Sequence, residues 1–328
     1  MRRFVQVVDT HTAGEPTRVV LAGVPPIPGR TMEERCRWLA ENADDFRQFL
    51  LREPRGHADM FGAIITPPCS PGADFGVIFL DNGGYLRMCG HGAIGVITAL
   101  ASLGWIDGEE TTLDTPSGLV HCCLHWRDGE VVGVTFRNVP SFYLATLMWR
   151  EVPVHVAYGG NLFALVEART LGVKLVREAL PQLVRLGLSI RNWVNKKHRF
   201  RHPRSGRELS VELVEFYEEG NPPRNVVVFG NGQVDRSPCG TGTCAKMAFL
   251  HAQGLLCVEE EFRYRGILDT EFVGRIVGET EVGDKLAIVP EVTGTAHVTG
   301  FGQLVLEEGD PFPTGFQLFT GGSPEEGK

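Results

Sequence analysis

Two cysteines of the chain share an unusual local sequence. Cys89 begins the segment CGHGAIGVITALASLGW, and Cys239 begins the segment CGTGTCAKMAFLHAQGLL. In both, Cys-Gly-x-Gly is followed by a stretch with the pattern of an amphipathic helix that ends near a glycine. The pKa of a thiol falls at a helix N-terminus, where backbone N–H groups are free. The pattern therefore predicts two reactive thiols, each at the start of a helix.

Two such thiols can invert a tetrahedral carbon. One sulfur, as the thiolate, would remove a proton from one face of the carbon, and the other, as the thiol, would deliver a proton to the opposite face. The N–H groups of the same helix starts would bind a substrate carboxylate and stabilise the charge that develops on it. A close backbone approach is permitted by glycines, here Gly90, Gly92, Gly240 and Gly242. This chemistry is typical of an amino-acid racemase or epimerase.

The same glycines also fit a different class of protein. Residues Gly90–Gly95 form a GxGxxG and residues Gly240–Ala245 a GxGxxA, which would predict a nucleotide-binding oxidoreductase. That fingerprint belongs to one βαβ unit, however, whereas here it occurs twice and directly follows a cysteine each time. The oxidoreductase therefore stays a remote alternative.

A second pair of similar segments indicates that the chain is duplicated. HTAGEPTRVV begins at His11, and AYGGNLFALV begins at Ala157. Their central glycines, Gly14 and Gly160, are separated by nearly the same number of residues as the two cysteines. Two independent echoes with one spacing are the signature of an internal repeat. We expect two similar halves, each placing one cysteine on one side of a shared cleft.

Short runs typical of β-strands recur along the chain and alternate with a few helical patterns. We expect helices over residues 31–51, 93–103, 171–195 and 245–255. This mixture predicts an α/β (α+β) fold. The length of 328 residues fits two domains at about 150 residues each. We expect a first half of residues 1–131 plus about 290–328, carrying Cys89, and a second half of about 132–289, carrying Cys239.

Composition excludes several classes of function. A net charge of −8 disfavours nucleic acid as a partner, and the basic segment over residues 191–207 is followed by acidic residues that favour a solvated surface. No apolar run is long enough for a membrane span, and no signal peptide is evident, so we expect a cytoplasmic protein. The eight cysteines contain no CxxC pair, which indicates free thiols. Two histidine pairs have i,i+4 spacing, but one lies in a strand-like segment and the other in a basic loop without a nearby carboxylate, so neither predicts a metal site. No metal is expected, and a homodimer is left open.

Five segments resemble the proline racemase family, in the order that the family has them. They are DTHTAGEPTRVV (Asp9–Val20), EPRGHADMFGAI (Glu53–Ile64), MCGHGAIGV (Met88–Val96), VAYGGNLFALV (Val156–Val166) and NGQVDRSPCGTGT (Asn231–Thr243). MCGHG and DRSPCGTGT together are highly specific. The resemblance implies a diaminopimelate-epimerase-like fold, with the active site in the cleft between two pseudo-symmetric halves.

The resemblance also implies roles for individual residues. Cys89 and Cys239 would be the catalytic pair, and no cofactor would be needed. His91 and Asp235 would contact the substrate amine, while N–H groups for the substrate carboxylate would come from Gly90, Gly240 and Thr241. The implied partner is a small-molecule substrate, either proline or a hydroxyproline. One departure is Cys244, where the family more often has serine.

Three residues bear on the choice of substrate within the family. Members that resemble trans-3-hydroxyproline dehydratases replace the second cysteine, so the presence of Cys239 favours a two-base reaction. Phe61 and Phe229 occupy positions that the resemblance places around the substrate ring. Two phenyl rings would leave a ring hydroxyl without a hydrogen-bond partner. We therefore expect interconversion of L- and D-proline, with 4-hydroxyproline 2-epimerase as the alternative.

Overall fold

A computed structural model of the chain describes residues 3–318. It contains α-helices and many short strands, and two short 3₁₀ helices lie at 168–171 and 177–179. The α-helices are α1 (Met32–Asn42), α2 (Asp44–Leu51), α3 (Gly90–Ser102), α4 (Leu180–Lys197) and α5 (Gly240–Ala252). None of the helices found between residues 3 and 318 combines the length and the apolar character that crossing a membrane requires.

The strands fall into two consecutive series. The first series is β1 (Arg3–Thr12), β2 (Glu15–Ala22), β3 (Gly62–Thr66), β4 (Phe75–Leu80), β5 (Tyr85–Leu86), β6 (Glu110–Thr115), β7 (Gly118–Arg127), β8 (Glu130–Arg137) and β9 (Phe142–Trp149). The second series is β10 (Val152–Tyr158), β11 (Leu162–Glu167), β12 (Phe200–Arg201), β13 (Glu208–Leu209), β14 (Val211–Glu218), β15 (Arg224–Phe229), β16 (Gln233–Val234), β17 (Glu261–Arg265), β18 (Glu271–Val282), β19 (Lys285–Gly294) and β20 (Ala296–Leu306).

The two series repeat one order of elements. Each begins with an antiparallel hairpin, β1–β2 or β10–β11, and continues through helical segments to a strand that pairs in parallel with the hairpin, β3 or β14. Each then runs through two strands into α3 or α5 and ends with four strands. The small β12–β13 hairpin is the clearest addition to the second series. The predicted fold class, a mixed α/β protein, is confirmed.

The two halves exchange their last strands. β20, at the end of the second series, pairs antiparallel with β1, and β9, at the end of the first, pairs with β10. β8 and β19 pair with each other. These exchanges join the strands into one continuous 18-stranded sheet, so that the halves are tied together by backbone hydrogen bonds as well as by packing.

Helices α3 and α5 are buried along almost their whole length, whereas α1, α2 and α4 each keep an exposed face. Small and apolar residues on every side of α3 and α5 explain this, because a helix without a polar face is stable only inside a core. The two helices that carry Cys-Gly-x-Gly are therefore the central ones. Their positions are fixed by packing on all sides.

Two predicted helices differ from the observed ones. The segment predicted over 31–51 is broken at Ala43, whose φ of −145° is not helical, and the turn allows Phe46 and Phe49 of α2 to be buried. The helix predicted over 171–195 begins only at Leu180, with Pro181 in its first turn. Proline has no N–H to donate and is tolerated there but not within a helix, which explains the late start.

Candidate functional site

The first turns of α3 and α5 touch each other in the centre of the molecule. A Cβ atom added to Gly90 would lie 2.6 Å from the Cα of Gly240, and one added to Gly240 would lie 2.8 Å from the Cα of Gly90. The ring of Phe136 packs against both positions. Only glycine permits this approach. The positive ends of two helix dipoles therefore meet at one place, and Cys89 and Cys239 are the N-cap residues on either side.

All the residues predicted for the site line one narrow cavity at this junction. Cys89 and Cys239 are only 5% and 4% exposed. The predicted lining residues are Phe61, Cys89, Gly90, His91, Phe229, Asp235, Cys239, Gly240 and Thr241. Three apolar residues that sequence reasoning missed, Leu86, Met88 and Leu213, complete the lining. The cavity is small and its two cysteines are almost fully buried, so it must widen before a ligand can reach both sulfurs.

Cys89 lies next to an imidazole. Its Sγ accepts a hydrogen bond from the N–H of Gly92 at 3.3 Å and lies 3.2 Å from Nδ1 of His91. Burial lowers the pKa of His91, and the nearby Asp235 carboxylate only partly offsets this. The imidazole is therefore neutral at physiological pH. Its ring contacts Phe61 edge-on at a centroid distance of 4.5 Å, which fixes its orientation.

Cys239 has an unusual backbone conformation. Its φ is +60° with ψ of 104°, a region that costs free energy for a residue with a side chain. Hydrogen bonds hold it there, because its N–H donates to Ser237 Oγ at 3.1 Å, and that hydroxyl donates to Asp235 Oδ1 at 2.7 Å. Its sulfur lies 3.9 Å from Thr241 Oγ1. The two cysteines thus occupy similar places with different surroundings.

Burial dominates the ionisation of both thiols. It raises the pKa of Cys89 well above the usual range, and the Gly92 N–H offsets this only in part. The pKa of Cys239 is raised in the same way, first by burial and then by the charge of Asp235. The expectation that a helix N-terminus would lower these pKa values is therefore wrong for the closed cavity, because desolvation outweighs the N–H groups. Burial therefore favours the neutral thiol at both sulfurs.

Asp235 is the carboxylate of the cavity. Its Oδ1 accepts hydrogen bonds from the N–H and the hydroxyl of Ser237, and its Oδ2 lies 4.0 Å from Nδ1 of His91. The guanidinium of the neighbouring Arg236 interacts with this carboxylate through its charge, but it donates a hydrogen bond to Asp59, at 2.6 Å. A buried carboxylate without a hydrogen-bonded cation favours a ligand that brings a positive charge.

The similar segments around Gly14 and Gly160 form the β1–β2 and β10–β11 hairpins, and both hairpins contact a cysteine loop. In the β10–β11 turn, Asn161 Nδ2 donates to the carbonyl of Met88, directly before Cys89, at 2.6 Å. In the β1–β2 turn, Glu15 Oε2 accepts the N–H of Arg236, shortly before Cys239, at 2.7 Å. Each half therefore holds the cysteine loop of the other half.

Glu15 and Glu215 are buried carboxyls that sequence reasoning missed. Both side chains are completely inaccessible to solvent. Glu215 Oε1 accepts a hydrogen bond from the Tyr264 hydroxyl at 2.6 Å. An acidic residue in the middle of a predicted strand is a signal that could have identified Glu215. The other acidic residues of the segment VELVEFYEEG made Glu215 look like one more residue of a solvent-exposed acidic surface.

Known proteins resemble the chain over nearly its whole length. The sequence model of the proline racemase family matches residues 7–317. The proline racemase of Clostridioides difficile is 44% identical over 330 residues, which cover 96% of the chain and 98% of that protein. A 4-hydroxyproline 2-epimerase of Streptosporangium roseum is 42% identical over 330 residues, covering 97% of the chain and 99% of that protein.

One solved structure supports the same assignment of fold. A hydroxyproline epimerase from Agrobacterium vitis, with trans-4-hydroxy-L-proline bound, superposes on the chain with a TM-score of 0.91. It is 33% identical, and the match covers 97% of each chain.

Proposed function

The chain belongs to the proline racemase family, and on that premise we propose that it interconverts L- and D-proline with Cys89 and Cys239 as the acid and base. The observation that carries this proposal is the meeting of two helix starts, each capped by a cysteine, at one enclosed cavity. Inversion requires one proton-transfer group on each face of the substrate carbon, and the duplicated halves supply one each.

The substrate is held by its two charged groups. We infer that the secondary ammonium of proline lies against Asp235, the buried carboxylate that lacks a hydrogen-bonded cation. The substrate carboxylate accepts hydrogen bonds from the N–H groups of Gly90, Gly240 and Thr241, at the positive ends of the two helices. As the carbon loses its proton, negative charge spreads into this carboxylate. The same N–H groups then stabilise the transition state more than the ground state, which is why no cofactor is needed.

The proton balance of the reaction follows from the neutral thiols. One thiol must release its proton to bulk water as the substrate enters, before turnover. The incoming ammonium favours this ionisation by bringing a positive charge into a medium of low dielectric constant. The thiolate then takes the proton from the substrate carbon, and the opposite thiol gives its own proton to the other face. The enzyme is left with the protonation of the two sulfurs exchanged, ready for the opposite enantiomer.

The apolar lining supports proline over 4-hydroxyproline. Phe61, Leu86, Met88, Leu213 and Phe229 line the cavity beside the cysteines and the charged groups. A hydroxyl on the ring would lose its hydrogen bonds to water without gaining others from these side chains. The 4-hydroxyproline 2-epimerase at nearly equal identity to the chain makes the hydroxylated substrate the second candidate.

Proton NMR with polarimetry tests this choice. We expect the reduced enzyme in deuterated water to remove the α-proton signal and the optical rotation of L-proline. With trans-4-hydroxy-L-proline we expect exchange about 5- to 150-fold slower, since an unpaired polar group costs about 1–3 kcal/mol. Faster exchange with hydroxyproline would reassign the substrate but keep the two-thiol mechanism, and exchange with neither would refute the proposed function.

Replacing Asp235 by asparagine should weaken recognition of the amine. Asparagine keeps an oxygen that can accept from Ser237 but loses the charge. We expect kcat/KM for L-proline to fall about 10- to 100-fold, as for a charge-assisted hydrogen bond of about 1.5–3 kcal/mol. Tetrahydrofuran-2-carboxylate, which has no ammonium, is the control ligand, and its inhibition constant should change little. An equal loss for both ligands would contradict the role assigned to Asp235.

The extent of each half also stays a proposal. The predicted limits at residues 131 and 290 lie within β8 and β19, the strands that pair across the halves. We propose that the first half comprises β1–β8 together with β20, and the second half β9–β19, because β9 and β20 each pair with the opposite series. The part of the predicted first half over residues 319–328 lies outside the described residues.

A further inference from the structure

The two cysteines differ in the side chain that lies behind their helix turns. A Cβ atom added to Gly92 would lie 3.2 Å from Cys89 Sγ and 2.9 Å from the ring of Phe79. A Cβ atom added to Gly242, the corresponding glycine of α5, would lie 3.1 Å from Cys239 Sγ and 2.4 Å from Oε2 of Glu215. One sulfur-bearing turn is therefore backed by an aromatic ring and the other by a carboxyl group.

Glu215 is enclosed completely. It lies on β14 between Leu165 of β11 and Val227 of β15, its strand partners, and is 0% exposed. Its Oε1 accepts from Tyr264, but its Oε2, the oxygen at Gly242, is buried and has no hydrogen-bond partner among residues 3–318. A buried polar atom without a partner is costly and rare in folded proteins, so this oxygen requires an explanation.

No cation neutralises Glu215 directly. The side chains that face it are Tyr264 from β17, Lys246, Cys239 and Cys244 from α5, and Asp235 from the loop before α5. Lys246 is the only cation among them, and its Nζ lies 3.2 Å from Glu219 Oε1 and 3.1 Å from the centre of the Tyr217 ring. The charge of Glu215 raises the pKa of Lys246, of Tyr264, of Tyr217 on its own strand and of Cys239. Of these four groups, Cys239 is the one that lines the cavity.

We propose that Glu215 is a positioning residue that controls the protonation of Cys239: the charged carboxylate keeps the sulfur as the thiol, and the neutral carboxyl lets it ionise. Two negative charges beside the same glycine repel each other strongly where water is excluded. The charges of Asp235, Glu15 and Asp81 also raise the pKa of Cys89. The glycine behind its sulfur, however, is backed by the ring of Phe79 and not by a carboxyl group. When one of the two thiols loses its proton above neutral pH, that thiol is Cys89. This inference rests on the proposed two-thiol function.

The carboxyl group of Glu215 titrates near neutral pH, so its charge changes within the pH range of the alkylation experiment. Burial raises the pKa of Glu215 to about 7, although the hydrogen bond from Tyr264 and the charge of Lys246 lower it. After burial and Asp235, Glu215 is the next cause that raises the pKa of Cys239. The repulsion is therefore absent well below pH 7 and present well above it.

Alkylation of the individual thiols tests the proposal in the full-length protein. Iodoacetamide is applied between pH 6 and pH 9, and mass spectrometry of the peptides gives separate rates for Cys89 and Cys239. We expect Glu215→Gln to raise the Cys239-to-Cys89 rate ratio about 10-fold at pH 8.5, as for a thiol pKa lowered by about one unit. At pH 6 the ratios of the variant and the wild type should agree. The Cys89 rate corrects for any change in how often the cavity opens.

Two further variants keep the test decisive. Glu212→Gln is the matched control, because Glu212 lies on the same strand and burial raises its pKa to about 7 as well, but it does not face Cys239; it should leave the ratio unchanged. Tyr264→Phe removes the hydrogen bond that lowers the pKa of Glu215. In this variant the pH at which Glu215 begins to suppress the Cys239-to-Cys89 rate ratio should therefore be higher than in the wild type. If Glu215→Gln fails to fold, the Tyr264→Phe profile decides alone.

An unchanged ratio in Glu215→Gln, or a change that is the same at every pH, would overturn the proposal, since a purely structural role has no reason to depend on pH. Alkylation needs no turnover, and racemisation of L-proline is measured on the same wild-type sample. Loss of the alkylation effect with intact racemisation would remove only the role of Glu215. Absence of racemisation would remove the proposed function itself.

Discussion

Cys239→Ser is expected to abolish racemisation of L-proline almost completely, lowering kcat by at least about 10³-fold, within the range that general acid–base groups contribute. A serine hydroxyl is far less acidic than a thiol and cannot form the anion in an enclosed cavity. Cys89→Ser should have a similar effect, because each sulfur serves one face of the substrate carbon in each direction. Polarimetry of L- and D-proline measures the loss.

Exchange in deuterated water shows why activity is lost. Each of the two variants keeps one of the two proposed catalytic cysteines, Cys89 or Cys239. Its sulfur can still remove a proton from one face of the substrate carbon and return one to the same face. We expect each variant to exchange the α-proton of only one enantiomer, without inversion, and the two variants to prefer opposite enantiomers. Exchange of both enantiomers by either variant would show that another group replaces the missing thiol.

Cys244→Ser is the matched control for the cysteine variants. Cys244 lies on α5 one turn beyond Cys239, and it is also buried. It does not line the cavity, and serine is of similar size. We expect its racemisation rate to stay within about 3-fold of the wild type, as for a substitution outside the proton-transfer path. A large loss would mean that the effect of Cys239→Ser reflects disturbed packing of α5 rather than chemistry.

Gly90→Ala is expected to reduce kcat/KM by about 100-fold, the effect of misplacing reacting groups by about 1 Å. The added Cβ would lie 2.6 Å from Gly240 Cα and 2.8 Å from Phe136 Cζ, well inside van der Waals contact. Because the nearest of these atoms is backbone, the two helix starts must move apart. The backbone N–H groups that bind the substrate carboxylate would then no longer be correctly placed relative to the two sulfurs. Overpacking should also lower the free energy of unfolding by about 1–3 kcal/mol.

Gly240→Ala should have a similar effect, because the contact is nearly reciprocal at 2.8 Å to Gly90 Cα. Gly278→Ala, on β18, is the control, since a Cβ there would meet nothing within 4 Å. Steady-state kinetics and thermal unfolding are measured for all three variants. If Gly90→Ala kept full activity and stability, the helix starts would not need to touch in the active enzyme.

The sequence alone predicted which residues meet at the site. Cys-Gly-x-Gly at the start of a helical pattern predicts an N-cap cysteine because capping and glycine requirements involve only neighbouring residues. Its occurrence twice, with the echo of Gly14 and Gly160, predicted the two-half architecture. The structure places every predicted site residue around one cavity. The local order of residues therefore carried most of the information on which groups could react.

Only the tertiary structure decided the ionisation of those groups. The sequence suggested that helix N-termini lower the thiol pKa values, but burial by both halves raises them. Glu15 and Glu215 were likewise hidden in sequence, since each acts on a loop or turn far away along the chain. Local sequence specifies which groups a backbone turn presents. Desolvation and charge–charge coupling depend on what distant segments pack around that turn, and so they become known only when the chain is folded.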